Sequence, residues 1–427
     1  MTARELAFEL LIKAEKSRQY SNIALDNALS KSDLSIADKS LASALFYGVT
    51  ERKITLDYQI TSLSSRKISD IDQNALVALR IGLYQLIYLD RIPAHAAINE
   101  SVNLCPKKSS GFVNAILRAF LRKGRIFLPT DTDSYEYLSV LFSVDLPLLT
   151  RLTDTFGKED TKNLLEAVNT VPPTTLRVNT LLTDREALLK NIPDSMPTKN
   201  ASTGICTKGS VRELYGFEGG LFFVQDEASQ ICVEALGAQK DELILDICAC
   251  PGSKSFGAAI DMQNQGKIIS FDLHENKLSL VINGAKRLKI DIIEARARDG
   301  RDFDRELEEK ADRIICDVPC SGFGVLAKKP ELRYKDPAES ASLPKIQSDI
   351  LENACRYLKR GGTLIYSTCT ILPEENERNI NSFLSRHPDF SLMPWSVGEI
   401  SADRGMLTLL PHIHGTDGFF IAKLIRK

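Results

Sequence analysis

The stretch ADRIICDVPCSGFG, from Ala311 to Gly324, decides the fold that we predict for this chain. Within it, Arg313 to Asp317 has an apolar run that ends on an acid, which is typical of a buried strand, and Pro319 ends that pattern. In an open α/β sheet, ligands bind beyond the carboxyl ends of the strands. We therefore expect Asp317 and Cys320 at the rim of a cleft, where a carboxylate beside a thiol serves nucleophilic or proton-transfer chemistry.

Cys320 alone does not establish a catalytic site, because free cysteines are usually buried and inert. A second cysteine in a similar setting, Cys369, follows the predicted strand Thr363 to Ser367. Two thiols that each follow a strand favour a catalytic role over a purely structural one.

Strand and helix patterns alternate around this stretch. The predicted strands are Ile244 to Ile247, Ile268 to Phe271, Ile292 to Ala295, Arg313 to Asp317 and Thr363 to Ser367. The predicted helices between them are Ser253 to Met262, Glu275 to Leu288 and Pro344 to Leu358. This alternation predicts an α/β, Rossmann-like domain with a mostly parallel sheet. Met406 to Leu410 and Phe419 to Ile425 are expected to add a hairpin at the edge of the sheet.

The first 130 residues predict an all-α helical bundle, because apolar residues recur there at helical spacing. The predicted helices are Ala3 to Lys16, Ile23 to Leu29, Leu41 to Leu63, Ala75 to Leu89, Ala94 to Leu104 and Phe112 to Leu121. The end of this region is basic and contains no acid among Lys107, Lys108, Arg118, Arg122, Lys123 and Arg125. These six charges form either a solvated face or a patch that contacts phosphates.

The sequence predicts a multidomain chain with three parts: a helical domain over residues 1–130, a small α+β module over 135–223 and a catalytic domain over 224–427. In the middle part, Tyr135 to Phe156 is expected to be helical and Thr174 to Thr180 to be a strand. Arg177 and Asn179 on that strand either contact RNA or lie on the surface of an edge strand.

Composition is ordinary for a soluble globular protein, with 43% hydrophobic and 26% charged residues and a net charge of −2. The nine cysteines are scattered and odd in number, which favours reduced thiols and a cytoplasmic location. No signal peptide or membrane-spanning run is apparent, so no membrane partner is expected.

The loop LDICACPGSKS, from Leu245 to Ser255, is the predicted cofactor site. Small residues let the backbone approach a ligand, and the start of the following helix offers free N–H donors. The loop lacks both GxGxxG and GxxxxGK[ST], which disfavours a dinucleotide site and a P-loop. The loop residues expected to bind the cofactor are Cys248, Ala249, Cys250, Pro251, Gly252, Ser253 and Lys254.

Acids at the ends of consecutive predicted strands indicate what the cofactor is. Asp246 ends the first strand, Asp272 ends the second and Asp299 lies just past the third. Asp272 is placed to accept hydrogen bonds from ribose hydroxyls, and Asp299 to meet an adenine amino group. Any one of these acids alone is more often a strand-ending cap, but the three together favour an adenosine-containing ligand.

The helical domain resembles the RNA-binding domain of transcription antitermination factor B. The matching stretches are LRIGLYQLIYLDRIPAHAAINESVNL (Leu79 to Leu104) and GFVNAILR (Gly111 to Arg118). The resemblance covers several helices in the same order, and it implies an RNA-binding role.

Residues 135–427 resemble the RNA cytosine-5 methyltransferase family. The motifs that carry this resemblance are VQDEAS (Val224 to Ser229), LDICACPGSKS, FDL with Asp272, ARDGRDF with Asp299, CDVPCSGFGVL (Cys316 to Leu326), KRGGTLIYSTCT (Lys359 to Thr370) and PEENE (Pro373 to Glu377). Cys250, Ser253 and Ser255 stand where that family usually has Ala, Gly and Thr. KKPELRYK, from Lys328 to Lys335, is a variant of the family's basic loop, for which RNA contacts are implied.

The resemblance implies an S-adenosylmethionine-dependent reaction at carbon 5 of cytosine. Cys369 is implied as the nucleophile that attacks carbon 6, and Cys320 as the thiol for product release, which also is a candidate base. Asp317 is expected both at the cofactor and at the base edge, where it helps protonate ring nitrogen 3. Lys254 is expected to help hold Cys369 as a thiolate, because a free thiol needs a cationic neighbour to lower its pKa.

The combination of both resemblances implies that the substrate is small-subunit ribosomal RNA, with an unpaired or loop cytidine as the target. A monomer without a metal is expected. The alternatives are another RNA such as tRNA, or a non-catalytic RNA-binding protein of the antitermination type. A zinc site formed by Cys248 and Cys250, or by His412 and His414, is disfavoured because neither pair has a second pair of ligands. A nicotinamide dehydrogenase is also disfavoured, because it shares the sheet but not the thiols.

Overall fold

The computed structural model describes residues 1–17, 22–208 and 211–427. The chain divides into two compact units. Unit 1 contains Met1–Leu165 and Lys329–Asp336, and unit 2 contains Glu166–Lys328 and Pro337–Lys427. Among the described residues, no helix has both the length and the apolar character needed to cross a membrane. The division into three domains, over residues 1–130, 135–223 and 224–427, stays a prediction.

Unit 1 is a helical bundle, as the apolar periodicity predicted. Its helices are α1 (Ala3–Ser17), α2 (Asn22–Ser30), α3 (Ile36–Glu51), α4 (Lys53–Leu63), α5 (Gln73–Tyr88), α6 (Ala94–Asn103), α7 (Lys107–Lys123), α8 (Tyr135–Phe142) and α9 (Leu146–Phe156), and α10 (Lys158–Val168) continues into unit 2. Two of the predicted helices are each divided in two. The predicted helix Leu41 to Leu63 is interrupted at Arg52, which has φ −104° and ψ 17° and separates α3 from α4. The predicted helix Tyr135 to Phe156 is interrupted at Ser143, which has the left-handed φ of 54° and follows α8.

Helix α5 forms much of the core of unit 1. It begins at Asp72, whose side chain accepts hydrogen bonds from the backbone N–H groups of Asn74 and Ala75 and so satisfies two of the free donors there. Its Arg80 is buried and forms ion pairs with Asp57 at 2.7 Å and Glu15 at 2.9 Å. A buried guanidinium needs such partners, since an unpaired charge in the core is costly.

The stretch Lys328 to Lys335 is not simply an exposed basic loop. Within unit 1, Arg333 is fully buried and donates from Nη1 to the carbonyl oxygen of Phe142 at 3.0 Å. The hydroxyl of Tyr334 lies 2.7 Å from the carbonyl oxygen of Thr50 and accepts from the N–H of Lys53 at 3.1 Å. These two side chains pack inside the helical unit, because their hydrogen-bond partners are backbone groups at helix ends.

The first sheet of unit 2 is small and antiparallel. It consists of β1 (Thr174–Val178), β2 (Met196–Pro197), β3 (Gly204–Thr207) and β4 (Phe222–Val224) in the order β2-β3-β1-β4, with α11 (Arg185–Asn191) in the same module. The strand β1 is therefore an inner strand, and both expectations for Arg177 and Asn179 are wrong. Arg177 is buried and pairs with Asp261 at 2.6 Å, and Asn179 is buried and donates to the carbonyl oxygens of Gly220 and Leu288.

The large sheet of unit 2 confirms the predicted Rossmann-like architecture. Its strands are β5 (Leu243–Asp246), β6 (Lys267–Asp272), β7 (Ile293–Ala297), β8 (Ala311–Asp317), β9 (Leu358–Thr368), β10 (Phe390–Leu392), β13 (Met406–Leu409) and β14 (Phe419–Arg426), while β11 (Trp395–Val397) and β12 (Ile400–Ala402) pair separately. The order is β10-β14-β9-β8-β5-β6-β7, and β13 pairs with β14. Strands β7, β6, β5, β8 and β9 are parallel, and the predicted β13–β14 hairpin joins β9 antiparallel through β14.

The remaining helices of unit 2 connect these strands. They are α12 (Glu227–Leu236), α13 (Ser253–Asp261), α14 (Leu278–Arg287), α15 (Leu343–Ala354), α16 (Glu377–Arg386) and α17 (Pro411–His414). Apolar residues from the sheet and from α12, α13 and α14 form one core cluster, and those from β8, β9 and α15 belong to another. The central strands β5, β6, β8 and β9 are thus mostly buried, whereas β7 is partly exposed at the sheet edge.

Candidate active site

The two predicted thiols lie side by side at the carboxyl edge of the large sheet. Strands β8 and β9 are neighbours, and Asp317 is in register with Ser367, so the loops that follow them leave the sheet together. The Sγ atoms of Cys320 and Cys369 are 3.2 Å apart. At this distance the thiol of one cysteine can donate a hydrogen bond to the sulfur of the other.

The Cys320 thiol holds its proton more tightly than an ordinary thiol. The hydrogen bond with Cys369, burial, and the negative charges of Cys369, Glu375 and Asp317 all raise the pKa of the Cys320 thiol well above its usual value. Cys320 therefore keeps its proton at neutral pH. A protonated Cys320 beside Cys369 can donate a hydrogen bond to a thiolate at Cys369.

Lys254 and Asp317 form a largely buried ion pair at the same edge. Nζ of Lys254 lies 2.7 Å from Oδ2 of Asp317, and the Oγ hydroxyl of Ser367 donates to Oδ1 at 2.7 Å. The lysine Nζ also lies 5.1 Å from the centre of the Phe419 ring. Burial opposes the charge on Lys254, but the attraction of Asp317 outweighs it and raises the lysine pKa above its usual value. Lys254 is thus held in its charged form.

The residues next to each cysteine hold the two loops together. The hydroxyls of Ser321 and Thr370 are 2.8 Å apart, and the N–H of Gly324 donates to the carbonyl oxygen of Cys369 at 2.9 Å. Gly324 in turn accepts from the N–H of Gly418 at 2.8 Å. A Cβ atom at Gly324 would lie 1.9 Å from the carbonyl oxygen of Gly418, so this close approach requires glycine.

Sequence reasoning missed the role of Glu375. Its carboxylate is buried and accepts hydrogen bonds from the N–H of Ser321 at 2.9 Å, the Oγ of Ser321 at 2.5 Å and Nε2 of Gln347 at 2.8 Å. The PEENE motif, only four residues after Cys369, was the available signal. The motif carries part of the family resemblance. Its spacing from Cys369 does not show that Glu375 contacts the loop that holds Cys320.

The predicted cofactor loop connects β5 to α13. Gly252 precedes α13 as its N-cap residue, with the left-handed φ of 108° and no side-chain cap, so the first N–H groups of the helix remain available to a ligand. The N–H of Ala249 donates to the carbonyl oxygen of Phe271 at 2.8 Å, which ties the loop to β6. Burial raises the pKa of the Cys248 thiol, and burial with Asp272 raises that of Cys250 to about 12, so both thiols are protonated.

The remaining loop residues share this edge with different exposure. Ala249, Gly252 and Lys254 are buried, Ser253 is half-buried and Pro251 is exposed. Asp246, at the end of β5, is buried and accepts a hydrogen bond from Ser255 at 2.6 Å.

Asp272 and Asp299 lie at the ends of the two strands beyond β5. The Asp272 carboxylate accepts from the N–H groups of Cys250 at 3.2 Å and His274 at 3.0 Å, so it is fixed beside the loop with lone pairs left to accept from hydroxyls. Arg301 donates to both oxygens of Asp299 and lowers its pKa. The small-residue loop, the uncapped helix start and the fixed Asp272 together fit an adenosine-containing ligand.

One group of potential metal ligands occurs among the described residues. Single ligand atoms of Glu352, Cys355 and His387 lie within 4.8 Å of one another. Glu352 already pairs with Arg386 at 2.5 Å and with Nε2 of His387 at 2.7 Å. These contacts account for the group without a metal.

Three family models match successive parts of the chain. Residues 233–425 match the family described as 16S rRNA methyltransferase RsmB/F. Residues 1–122 match the NusB family, and residues 148–204 match the ferredoxin-like domain of RsmF/B-like methyltransferases. Each part of the chain thus has a counterpart in known families.

Two curated proteins and two crystal structures are similar over much of the chain. The probable ribosomal RNA small subunit methyltransferase B of Bacillus subtilis is 36% identical, over 100% of this chain and 99% of its own length. The protein of the same name in Synechocystis is 36% identical over 99% of each chain. The structure of PH0851 covers 100% of this chain and 99% of its own with a TM-score of 0.82 and 26% identity. The structure of a methyltransferase homologue from Pyrococcus horikoshii covers 68% of this chain and 97% of its own, with a TM-score of 0.60 and 27% identity.

Proposed function

The chain belongs to the 16S rRNA methyltransferase RsmB/F family, and we propose that it methylates carbon 5 of a cytidine in small-subunit ribosomal RNA through a covalent cysteine adduct. The observation that carries this proposal is the pair of thiols, Cys320 and Cys369, 3.2 Å apart at the ends of neighbouring strands. A non-catalytic protein that only bound RNA would not need two thiols within reach of one base.

Cys369 is the nucleophile in this proposal. Carbon 5 of cytosine is a poor nucleophile, but addition of the Cys369 thiolate to carbon 6 makes carbon 5 enamine-like. Cys320, which keeps its proton, donates a hydrogen bond to that thiolate before the attack. The ammonium of Lys254, fixed by Asp317, supplies positive charge that favours a thiolate at Cys369.

Cys320 acts after methyl transfer. The bond between Cys369 and carbon 6 removes the hydrogen bond that is the largest cause of the raised Cys320 pKa, so Cys320 can then lose its proton to solvent. Its thiolate takes the proton from carbon 5. The electron pair of the C–H bond forms the carbon 5–carbon 6 double bond, and the bond from carbon 6 to Cys369 breaks to return the Cys369 thiolate.

Asp317 orients the base. Its oxygens are held by Lys254 and Ser367, so the carboxylate is fixed at the end of β8 beside the thiols. We assign it to the base edge, where it helps protonate ring nitrogen 3: the nitrogen takes a proton from solvent, and the Asp317 carboxylate accepts a hydrogen bond from the N–H that forms. This protonation makes carbon 6 more electrophilic.

S-adenosylmethionine supplies an electrophilic methyl group when bound. The cofactor loop from Cys248 to Lys254 and the carboxylates of Asp272, Asp299 and Asp317 would hold it, because they line the same edge of the sheet as the thiols. Asp272 has lone pairs for ribose hydroxyls. Asp299 would approach adenine with its Arg301 partner attached, which narrows the directions from which it can accept a hydrogen bond.

The RNA partner is proposed from the chemistry of the site and from the helical unit. The target cytidine must leave its stack to reach the thiols, which favours an unpaired or loop position. The six basic side chains of the patch on and after α7, from Lys107 to Arg125, are all exposed and can contact phosphates. We place the protein in a reducing cytoplasm, since its cysteines are not joined in disulfides, and propose that it acts as a monomer.

Bisulfite sequencing of ribosomal RNA tests the proposed function. Cells that lack this protein should lose one 5-methylcytidine from small-subunit RNA, and expression of the wild-type chain should restore it, whereas Cys369→Ala should not. An unchanged small-subunit pattern, or a loss confined to tRNA, would contradict the proposed substrate.

A further inference from the structure

We propose that Glu375 is a positioning residue that gives the two thiols their different roles, by fixing the Cys320 loop against the Cys369 loop and placing a negative charge on the Cys320 side. The proposal rests on the proposed function, because it concerns the same pair of thiols. Glu375 is neither a predicted site residue nor a group that contacts the reacting atoms.

The contacts of Glu375 are concentrated on the residue next to Cys320. Both the N–H and the hydroxyl of Ser321 donate to the carboxylate, at 2.9 and 2.5 Å, and Gln347 donates at 2.8 Å. Gln347 also donates from Nε2 to the carbonyl oxygen of Pro319 at 2.9 Å, so the residues on both sides of Cys320 are held. Hydrogen bonds to a buried carboxylate are charge-assisted and stronger than neutral ones.

The backbone around Glu375 is fixed to the other cysteine loop. The hydroxyl of Tyr366 on β9 donates to the carbonyl oxygen of Glu375 at 2.6 Å. Asn376 accepts from the Thr368 hydroxyl at 2.6 Å and donates to the carbonyl oxygen of Thr370 at 3.0 Å. The segment that carries Glu375 therefore moves with Cys369, while the Glu375 side chain holds Cys320.

The charge of Glu375 acts on the proton that the two sulfurs compete for. The hydrogen bond with Cys369 and burial are the largest causes of the raised Cys320 pKa, and the charges of Cys369, Glu375 and Asp317 raise it further. The buried Tyr366 on β9 also interacts electrostatically with Cys320. The ion pair with Lys254 partly offsets the charge of Asp317, and Glu375 is the carboxylate with the larger effect on the Cys320 pKa. The proton therefore stays on Cys320 before attack, which leaves Cys369 as the sulfur that can attack as a thiolate.

The first test is trapping of the covalent adduct with the variant Glu375→Gln. Gln is nearly isosteric but lacks the charge and one acceptor oxygen, so the Cys320 loop is held less firmly and Cys320 is less well placed to take the proton from carbon 5. Product release should slow about tenfold to a hundredfold, and a protein–RNA adduct should accumulate, as expected for Cys320→Ala. Glu377→Gln is the matched control, because Glu377 belongs to the same motif but accepts from Thr408 on β13.

The second test is the pH dependence of thiol alkylation without RNA. Iodoacetamide labelling, read for each cysteine by peptide mass spectrometry, gives a midpoint pH for Cys320 and for Cys369. Glu375→Gln should lower the midpoint of Cys320, whereas Glu377→Gln should leave it unchanged. A purely structural role of Glu375 would lower stability without moving this midpoint.

The outcomes separate the two proposals. If Cys320→Ala traps RNA but Glu375→Gln neither traps it nor shifts the Cys320 midpoint, the role of Glu375 is overturned while the proposed function stands. If no variant traps RNA and the wild type methylates none, the proposed function fails, and the alkylation midpoint still decides the role of Glu375. Should Glu375→Gln not fold, Glu375→Asp, which keeps the charge but shortens the side chain, should trap RNA without a midpoint shift.

Discussion

Nζ of Lys254 lies 2.7 Å from Oδ2 of Asp317, so the first residues of α13 and the end of β8 are joined by a largely buried ion pair. Both residues were predicted site residues, but with separate roles: Lys254 was expected to help hold Cys369 as a thiolate, and Asp317 to bind the edge of the cytosine base. The pair connects the cofactor loop to the strand that leads to Cys320. It therefore makes the geometry of the two halves of the site interdependent.

A double-mutant cycle should show this interdependence. Lys254→Met and Asp317→Asn should each lower the free energy of unfolding of the protein, by about 3 kcal/mol, because each leaves a buried partner without its counter-charge. The double variant should lose less than the sum of the two single variants. Urea unfolding measures all three, and strictly additive losses would show that the two side chains do not stabilise each other.

The basic patch on and after α7 should contribute to RNA affinity but not to cofactor affinity. Charge reversal at Lys107, Lys108, Arg122 and Lys123 should weaken RNA binding and flatten the slope of log affinity against log salt by about one unit per lost phosphate contact. The double variant Lys31→Glu/Lys67→Glu, at exposed positions elsewhere in unit 1, is the control. An unchanged salt slope would mean that the patch is only a solvated face.

Asp272→Ala should raise the dissociation constant for S-adenosylmethionine about tenfold to a hundredfold, because charge-assisted hydrogen bonds to the ribose are lost. The variant also removes the acceptor for the N–H of Cys250, which loosens the loop. Titration calorimetry measures the affinity, with Asp403→Ala at an exposed position as the control. Wild-type affinity in Asp272→Ala would remove this residue from the cofactor site.

The fold was largely predictable because it depends on local periodicity and on strand alternation. The core strands and most helices lie where apolar spacing placed them. The breaks at Arg52 and Ser143 were not predictable, since apolar spacing continues across them. Arg177 and Asn179 were misassigned because their partners, Asp261 and the carbonyl oxygen of Leu288, are distant in the chain.

The structure places the predicted site residues along one edge of the large sheet, but the contacts between their side chains were not predicted. Spacing identifies which side chains end strands, and it does not show that Arg301 takes both oxygens of Asp299 or that Glu375 holds Ser321. Such contacts depend on how loops from different strands fold over one another. Sequence alone therefore indicated the chemistry of the site and left its internal contacts to the structure.

Denaturing gel electrophoresis with labelled small-subunit RNA and S-adenosylmethionine tests the covalent mechanism most directly. Cys320→Ala should still attack and methylate the cytidine but release it poorly, so a protein–RNA band that survives denaturation should accumulate. Cys369→Ala should give no such band and no methyl transfer. A band from Cys369→Ala with none from Cys320→Ala would reverse the two roles, and full turnover by both variants without a band would contradict the covalent mechanism.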